Sequence, residues 1–165
     1  MNKNTHSFFL TTLFILMFLI TSCSYEVKNK PVYQSNEQKV LVENRNEEKL
    51  KALAAVENFH KLFNEGKSQE IFDLLDDKSQ LKQDKVYIVL WMEKLNRELG
   101  KFESSKQTNQ AIFQKSNSYE VRFEFISKYQ KESGTPPRYE LFAWDVYNNG
   151  DVKLLDYING KDKEE

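Results

Sequence analysis

The sequence predicts an α+β domain in which N-terminal helices pack on a curved antiparallel sheet of about four strands. Three observations carry that prediction. Apolar residues recur at helical spacing in three segments between residues 47 and 99. The period then switches to two from Ser118 onward. Glycine or asparagine-glycine punctuation falls where elements must stop.

The helices come first. Asn46 is placed to cap a helix over EEKLKALAAVENFHKLFNEG, with Glu47 and Glu48 in its first turn, where carboxylates favour the positive end of the helix dipole. Ala52, Val56, Phe59 and Phe63 share one face, and Gly66 closes the helix as a C-terminal cap. Ser68 is placed to cap a shorter helix, SQEIFDLLDD, with Ile71, Leu74 and Leu75 apolar. Asp84 caps a third, DKVYIVLWMEKLNREL, whose stripe is Ile88, Trp91, Leu95 and Leu99 and which Gly100 stops.

The strands follow. SYEVRFEFISKY alternates, with Tyr119, Val121, Phe123 and Phe125 on one side and Glu120, Arg122 and Glu124 on the other. An earlier strand falls within Gly100 to Lys115, around AIFQK. RYELFAWDVY is the next, NNGD is a hairpin turn in which Asn149-Gly150 suits positive φ, and VKLLDYI returns.

Upstream, the chain reads as an address. MNKNTHS is polar with one lysine, and Phe8 to Ile20 is apolar apart from Thr11 and Thr12. A helix of about 13 residues spans roughly 20 Å, short of the roughly 30 Å of a bilayer core, which fits a secretory signal peptide better than a membrane span. Ile20-Thr21-Ser22-Cys23 resembles the lipobox of bacterial lipoproteins. The resemblance implies cleavage before Cys23, the only cysteine, and acylation of its thiol; two or more acyl chains anchor a protein stably, where one binds only marginally. Ser24 after it permits export to an outer membrane facing the periplasm if the cell is Gram-negative; otherwise the anchor holds the outer face of the plasma membrane. The expected organisation is therefore a signal over residues 1–22, a lipidated cysteine and tether over 23–46, and the domain over 47–165. Within the tether, Val40-Leu41-Val42 is the one compact apolar group, with a short strand over Lys39 to Glu43 as the alternative.

Removal of residues 1–22 leaves 23 basic and 25 acidic residues, a net charge of −2. With no basic run, that balance argues against a nucleic-acid partner.

FHKLFNEGKSQEIFDLL, then WMEKLNRELGKFESS, then a hairpin-rich sheet, resembles the nuclear-transport-factor-2-like (cystatin-like) superfamily, above all its small envelope domains. The matching positions are Phe59, Phe63, Asn64, Gly66, Leu95, Leu99, Gly100, Lys101 and Phe102, and the resemblance covers about residues 47 to 158. It implies a cone-like fold enclosing a pocket, frequent dimers through the sheet, and no single activity, since members include isomerases, hydrolases and scaffolds. Members that do chemistry often use an Asp/His or Asp/Tyr pocket.

Candidate chemistry is sparse. After cleavage the chain keeps one histidine, His60, and no free thiol, which excludes a His/Cys zinc site. Asp73, Asp76 and Asp77 lack the glycine and distal glutamate of a calcium loop, so no metal or cofactor is expected. No G-x-S-x-G occurs, and a Ser-His-Asp site would have to use His60, which is one step from Phe59 on an amphipathic helix. With a two-residue turn at Asn149-Gly150, Asp145 faces Leu154 and Ala143 faces Asp156. Asp145 and Asp156 then lie diagonally on one sheet face and, with His60, are the acid–base candidates. A three-residue turn with a bulge changes that register.

Binding residues are expected on the two-faced strand RYELFAWDVY. Phe142, Trp144 and Tyr157 form an aromatic patch bordered by Lys153 and Glu140, and the alternative is that this face is simply core. The expected function is a lipid-anchored envelope protein whose domain binds without catalysis: a membrane through Cys23, and an envelope protein, a second copy or a small apolar ligand through the domain. The alternatives are an isomerase or hydrolase with an Asp-based pocket, and an immunity or inhibitor lipoprotein that plugs an attacking enzyme.

Overall fold

The computed structural model describes residues 40–42, 44–132 and 137–161. Cys23, the apolar segment before it and the tether as far as residue 39 lie outside them. Among the described residues no helix is long and apolar enough to cross a membrane.

The described chain is α+β, with helices packed against one face of an open antiparallel sheet. In order run β1 (Val40–Leu41), α1 (Asn46–Asn64), α2 (Ser68–Asp73), a 3-10 turn (Gln80–Gln83), α3 (Lys85–Leu99), β2 (Phe102–Gln114), β3 (Ser118–Tyr129), β4 (Arg138–Tyr147) and β5 (Val152–Lys161). The five strands are neighbours in sequence order, all antiparallel. Val40 and Leu41 thus leave the tether and pair with Gln114 and Phe113, which is the alternative reading of that segment.

The helix faces agree with the apolar periodicity. Ala52, Val56, Phe59 and Phe63 of α1 are buried, as are Ile88, Met92, Leu95 and Leu99 of α3, with Trp91 packed beside them. Two caps differ from expectation. Asn44 takes the left-handed turn (φ 66°), so Arg45, held over the Tyr119 ring at 4.5 Å, occupies the cap position and Asn46 is already helical. Ser68 is also inside its helix, because α1 ends in a Schellman motif that feeds α2 directly: Gly66 (φ 69°) donates to Phe63 O and Lys67 to Leu62 O. Asp84 caps α3 as expected, its Oδ1 accepting from the Tyr87 amide at 2.9 Å. The predicted α2 stops at Asp73 because Leu74 and Asp76 turn to pair with β5, exchanging main-chain bonds of 2.8 Å with Leu154.

The last hairpin departs from a two-residue turn and then returns to register. The Tyr147 amide donates to Asp151 O and the Gly150 amide to Tyr147 O, enclosing a three-residue loop with Gly150 at φ 95°. Val146 therefore faces Val152, Asp145 faces Lys153 and Trp144 faces Leu154. Leu155 bulges, its carbonyl taken by the Ser79 hydroxyl at 2.7 Å, and beyond it Ala143 faces Asp156 and Phe142 faces Tyr157.

Candidate functional site

Strand parity decides which side chains meet the helices. Val121, Phe123 and Phe125 of β3 pair with Trp144, Phe142 and Glu140 of β4, and this face carries the core. Phe142 and Trp144 are 0 % exposed and Tyr157 is 2 % exposed. Phe142 meets the rings of Phe59, Tyr157 and His60 at 5.1, 4.8 and 5.5 Å between centroids. The three aromatic residues expected as an interface patch are thus the floor of the core, covered by α1 and α3. Burying these rings under the helices removes far more apolar surface from water than an open patch would.

On that same face lies Glu140, which the aromatic-patch reading placed at a border. It is wholly buried. Its Oε1 accepts from Tyr129 Oη at 2.7 Å, Tyr157 Oη at 2.6 Å and Asn159 Nδ2 at 3.3 Å. Asn159 Nδ2 also donates to both tyrosine oxygens, at 3.2 and 3.0 Å, which leaves each hydroxyl proton for the carboxylate. Oε2 meets His60 Nε2 at 3.2 Å. Burial alone would raise the Glu140 pKa; the hydrogen bond from His60, and the charge that ring carries when protonated, outweigh it and hold the carboxyl below its ordinary value. The two phenols move the other way, pushed well above 10 by burial first and by the adjoining carboxylate second.

His60 reaches this group because α1 places it beside Phe59 on the buried stripe. Its ring lies on Phe102, 3.7 Å away and 5° from parallel. Phe102 is held in turn by the Asn64 amide, which donates to its carbonyl (3.1 Å) and accepts from its N–H (2.7 Å). Beside these rings a cavity of about 530 Å³ opens between α1 and the start of β2, with Leu53, Val56, His60, Phe102 and Phe125 among its walls and Lys61, Ser104 and Ser105 at exposed positions. Its size is that of small-molecule sites.

The aspartate pair does share a sheet face, but the opposite one, away from His60. Asp145 is buried in an ion pair with Lys115 Nζ at 2.7 and 2.9 Å, and the same ammonium lies 3.0 Å from Glu120. Burial raises the Asp145 pKa against the pull of Lys115, and burial raises that of half-buried Asp156. Burial works against the charged form of Lys115, yet its two carboxylate partners raise its pKa overall. Asp145 is thus committed to a structural ion network, and the His60–Asp145–Asp156 grouping is not assembled. What the sequence reading missed is Glu140 as a buried partner, with Tyr129 and Asn159. The available signal was parity: Glu140 alternates with Phe142 and Trp144, and a carboxylate on a core face needs donors. Among the described residues no group of three His, Cys, Asp or Glu side chains is placed to hold a metal ion.

No family model, curated protein or solved structure matches the chain, so the resemblances drawn from its sequence rest on their own residues.

Proposed function

We propose that this is a lipid-anchored cell-envelope protein whose α+β domain, of nuclear-transport-factor-2-like type, binds a small ligand without catalysis in the cavity beside His60. The observation that carries the reading is the cavity itself: apolar walls from Leu53, Val56, Phe102 and Phe125 with one imidazole, His60, at the junction with the buried polar network. Burial of Phe142, Trp144 and Tyr157 supports a ligand in that cavity over a partner protein docking on those rings. The anchor at Cys23 would concentrate the domain at a membrane surface.

Two measurements test it. Labelled palmitate incorporation that is lost in Cys23→Ala supports the anchor, and equal incorporation in both overturns it. Leu53→Trp sets a larger ring in the cavity wall; ligands found by NMR screening against the wild-type chain should bind more weakly to that variant, and unchanged binding places the site elsewhere.

A second reading is favoured by the His60–Glu140 pair, since an imidazole oriented by a carboxylate is a ready proton acceptor. It would make the domain a small isomerase or hydrolase, with Glu140 in the part first given to the aspartates. Conversion of a bound ligand over time, lost in His60→Phe, would establish it.

A further inference from the structure

The Glu140 network dictates the hydrogen-bonding character of the cavity. Three donors converge on Oε1, and Asn159 fixes the tyrosine protons toward it. A carboxyl so surrounded is an acceptor at both oxygens, so the contact at Oε2 requires a proton on His60 Nε2. In the neutral ring the other nitrogen, Nδ1, is then a bare acceptor. Among the described residues it meets no donor, the one side-chain hydrogen bond of His60 being that to Glu140.

The other polar groups near the inner walls are spent. Both ends of the Asn64 amide are bonded to Phe102. Glu57, Lys61, Ser104 and Ser105 occupy exposed positions. A ligand that reaches Phe102 and Phe125 therefore finds aromatic surface and one unused acceptor.

We infer that the cavity selects neutral ligands with an apolar body and one hydrogen-bond donor, alcohols or phenols whose O–H is accepted by His60 Nδ1. This rests on the cavity reading above and adds the ligand class. An anion would meet an acceptor instead of a donor, and an ether would leave Nδ1 unpaired.

The test uses the full chain at about pH 8, above the ordinary imidazole range, and three probes followed by fluorine NMR: para-fluorophenol, para-fluoroanisole and para-fluorobenzoate. The phenol should bind about 10-fold tighter than the ether, the worth of one hydrogen bond to an otherwise unpaired group, and the benzoate weakest. In Glu140→Gln the amide donates to Nε2, the proton moves to Nδ1, and the phenol preference should vanish. Imidazole nitrogen shifts give a readout that needs no variant: the wild-type ring should carry its proton on Nε2 with Nδ1 bare. Equal binding of phenol and ether overturns this inference and leaves the cavity reading standing, as does preference for the benzoate or a proton found on Nδ1. If no probe binds, or if Leu53→Trp binds all three unchanged, the cavity reading falls and the inference with it.

Discussion

The imidazole of His60 and the ring of Phe102 lie in parallel contact, 3.7 Å between centroids, and through them α1 meets the first long strand of the sheet. The stack is oriented from both sides. Glu140 holds the imidazole through Nε2, and the Asn64 amide holds the Phe102 backbone.

Phe102→Ala removes the stack while keeping the backbone bonds to Asn64. For this half-buried ring the expected cost is about 2–3 kcal/mol, below the range for a fully buried one. Urea unfolding measures it, and a loss near zero would show that the ring contributes nothing to closing the helix against the sheet.

Removing the central carboxylate should cost more than removing its charge. Glu140→Ala leaves two tyrosine hydroxyls, the Asn159 amide and His60 without their acceptor, an expected loss of about 3 kcal/mol or more. Glu140→Gln keeps one acceptor oxygen and should lose about 1–2 kcal/mol. The reverse order in denaturant midpoints would contradict the assigned network.

Acid should unfold the domain partly through this residue. The folded Glu140 pKa lies below its ordinary 4.5, so between the two values the unfolded chain binds more protons and stability rises with pH. Its contribution is present above pH 4.5 and is lost as pH falls through the folded value. Stability measured as a function of pH should fall less steeply below 4.5 in Glu140→Gln than in wild type.

At alkaline pH the tyrosines take over. Tyr129 and Tyr157 stay protonated in the folded chain well above their ordinary 10, whereas the unfolded chain releases those protons. Stability from this source is whole below pH 10 and declines above it. The double variant Tyr129→Phe/Tyr157→Phe should be less stable at neutral pH and show a flatter decline above pH 10, and an unchanged slope would exclude the two phenols as its cause.

Trp144→Ala acts on the core. It empties a fully buried site stacked 12° from parallel on Phe142, for an expected loss of about 3–5 kcal/mol. If urea unfolding shows a loss under about 1 kcal/mol, the indole is not buried as described.

How much of this was legible follows from the range of the interactions. The α1 and α3 stripes and the alternation of β3 are local patterns, and the burial of Val56, Phe59, Leu95, Val121 and Phe123 follows them. RYELFAWDVY was ambiguous because both faces are apolar, so periodicity could not say which one met the helices. His60 and Glu140 are 80 positions apart, and the tyrosines reach Glu140 from two different strands. No local signal encodes such a meeting; parity hinted only that Glu140 faced inward. The strand at Val40–Leu41 is two residues long and owes its existence to the waiting edge of β2, which its own composition does not reveal.

The three-residue loop at Gly150 and the bulge at Leu155 each shift the pairing of the hairpin by one position, in opposite senses. Opposed residues of antiparallel neighbours share a face, so the faces of β5 are set by its partners on β4 and not by how many residues sit in the loop or the bulge. Losing the extra residue at either place would leave Phe142 opposite Tyr157 and the phenol under the helices. The tip of the hairpin and the middle of its return strand are therefore free to change length independently of one another.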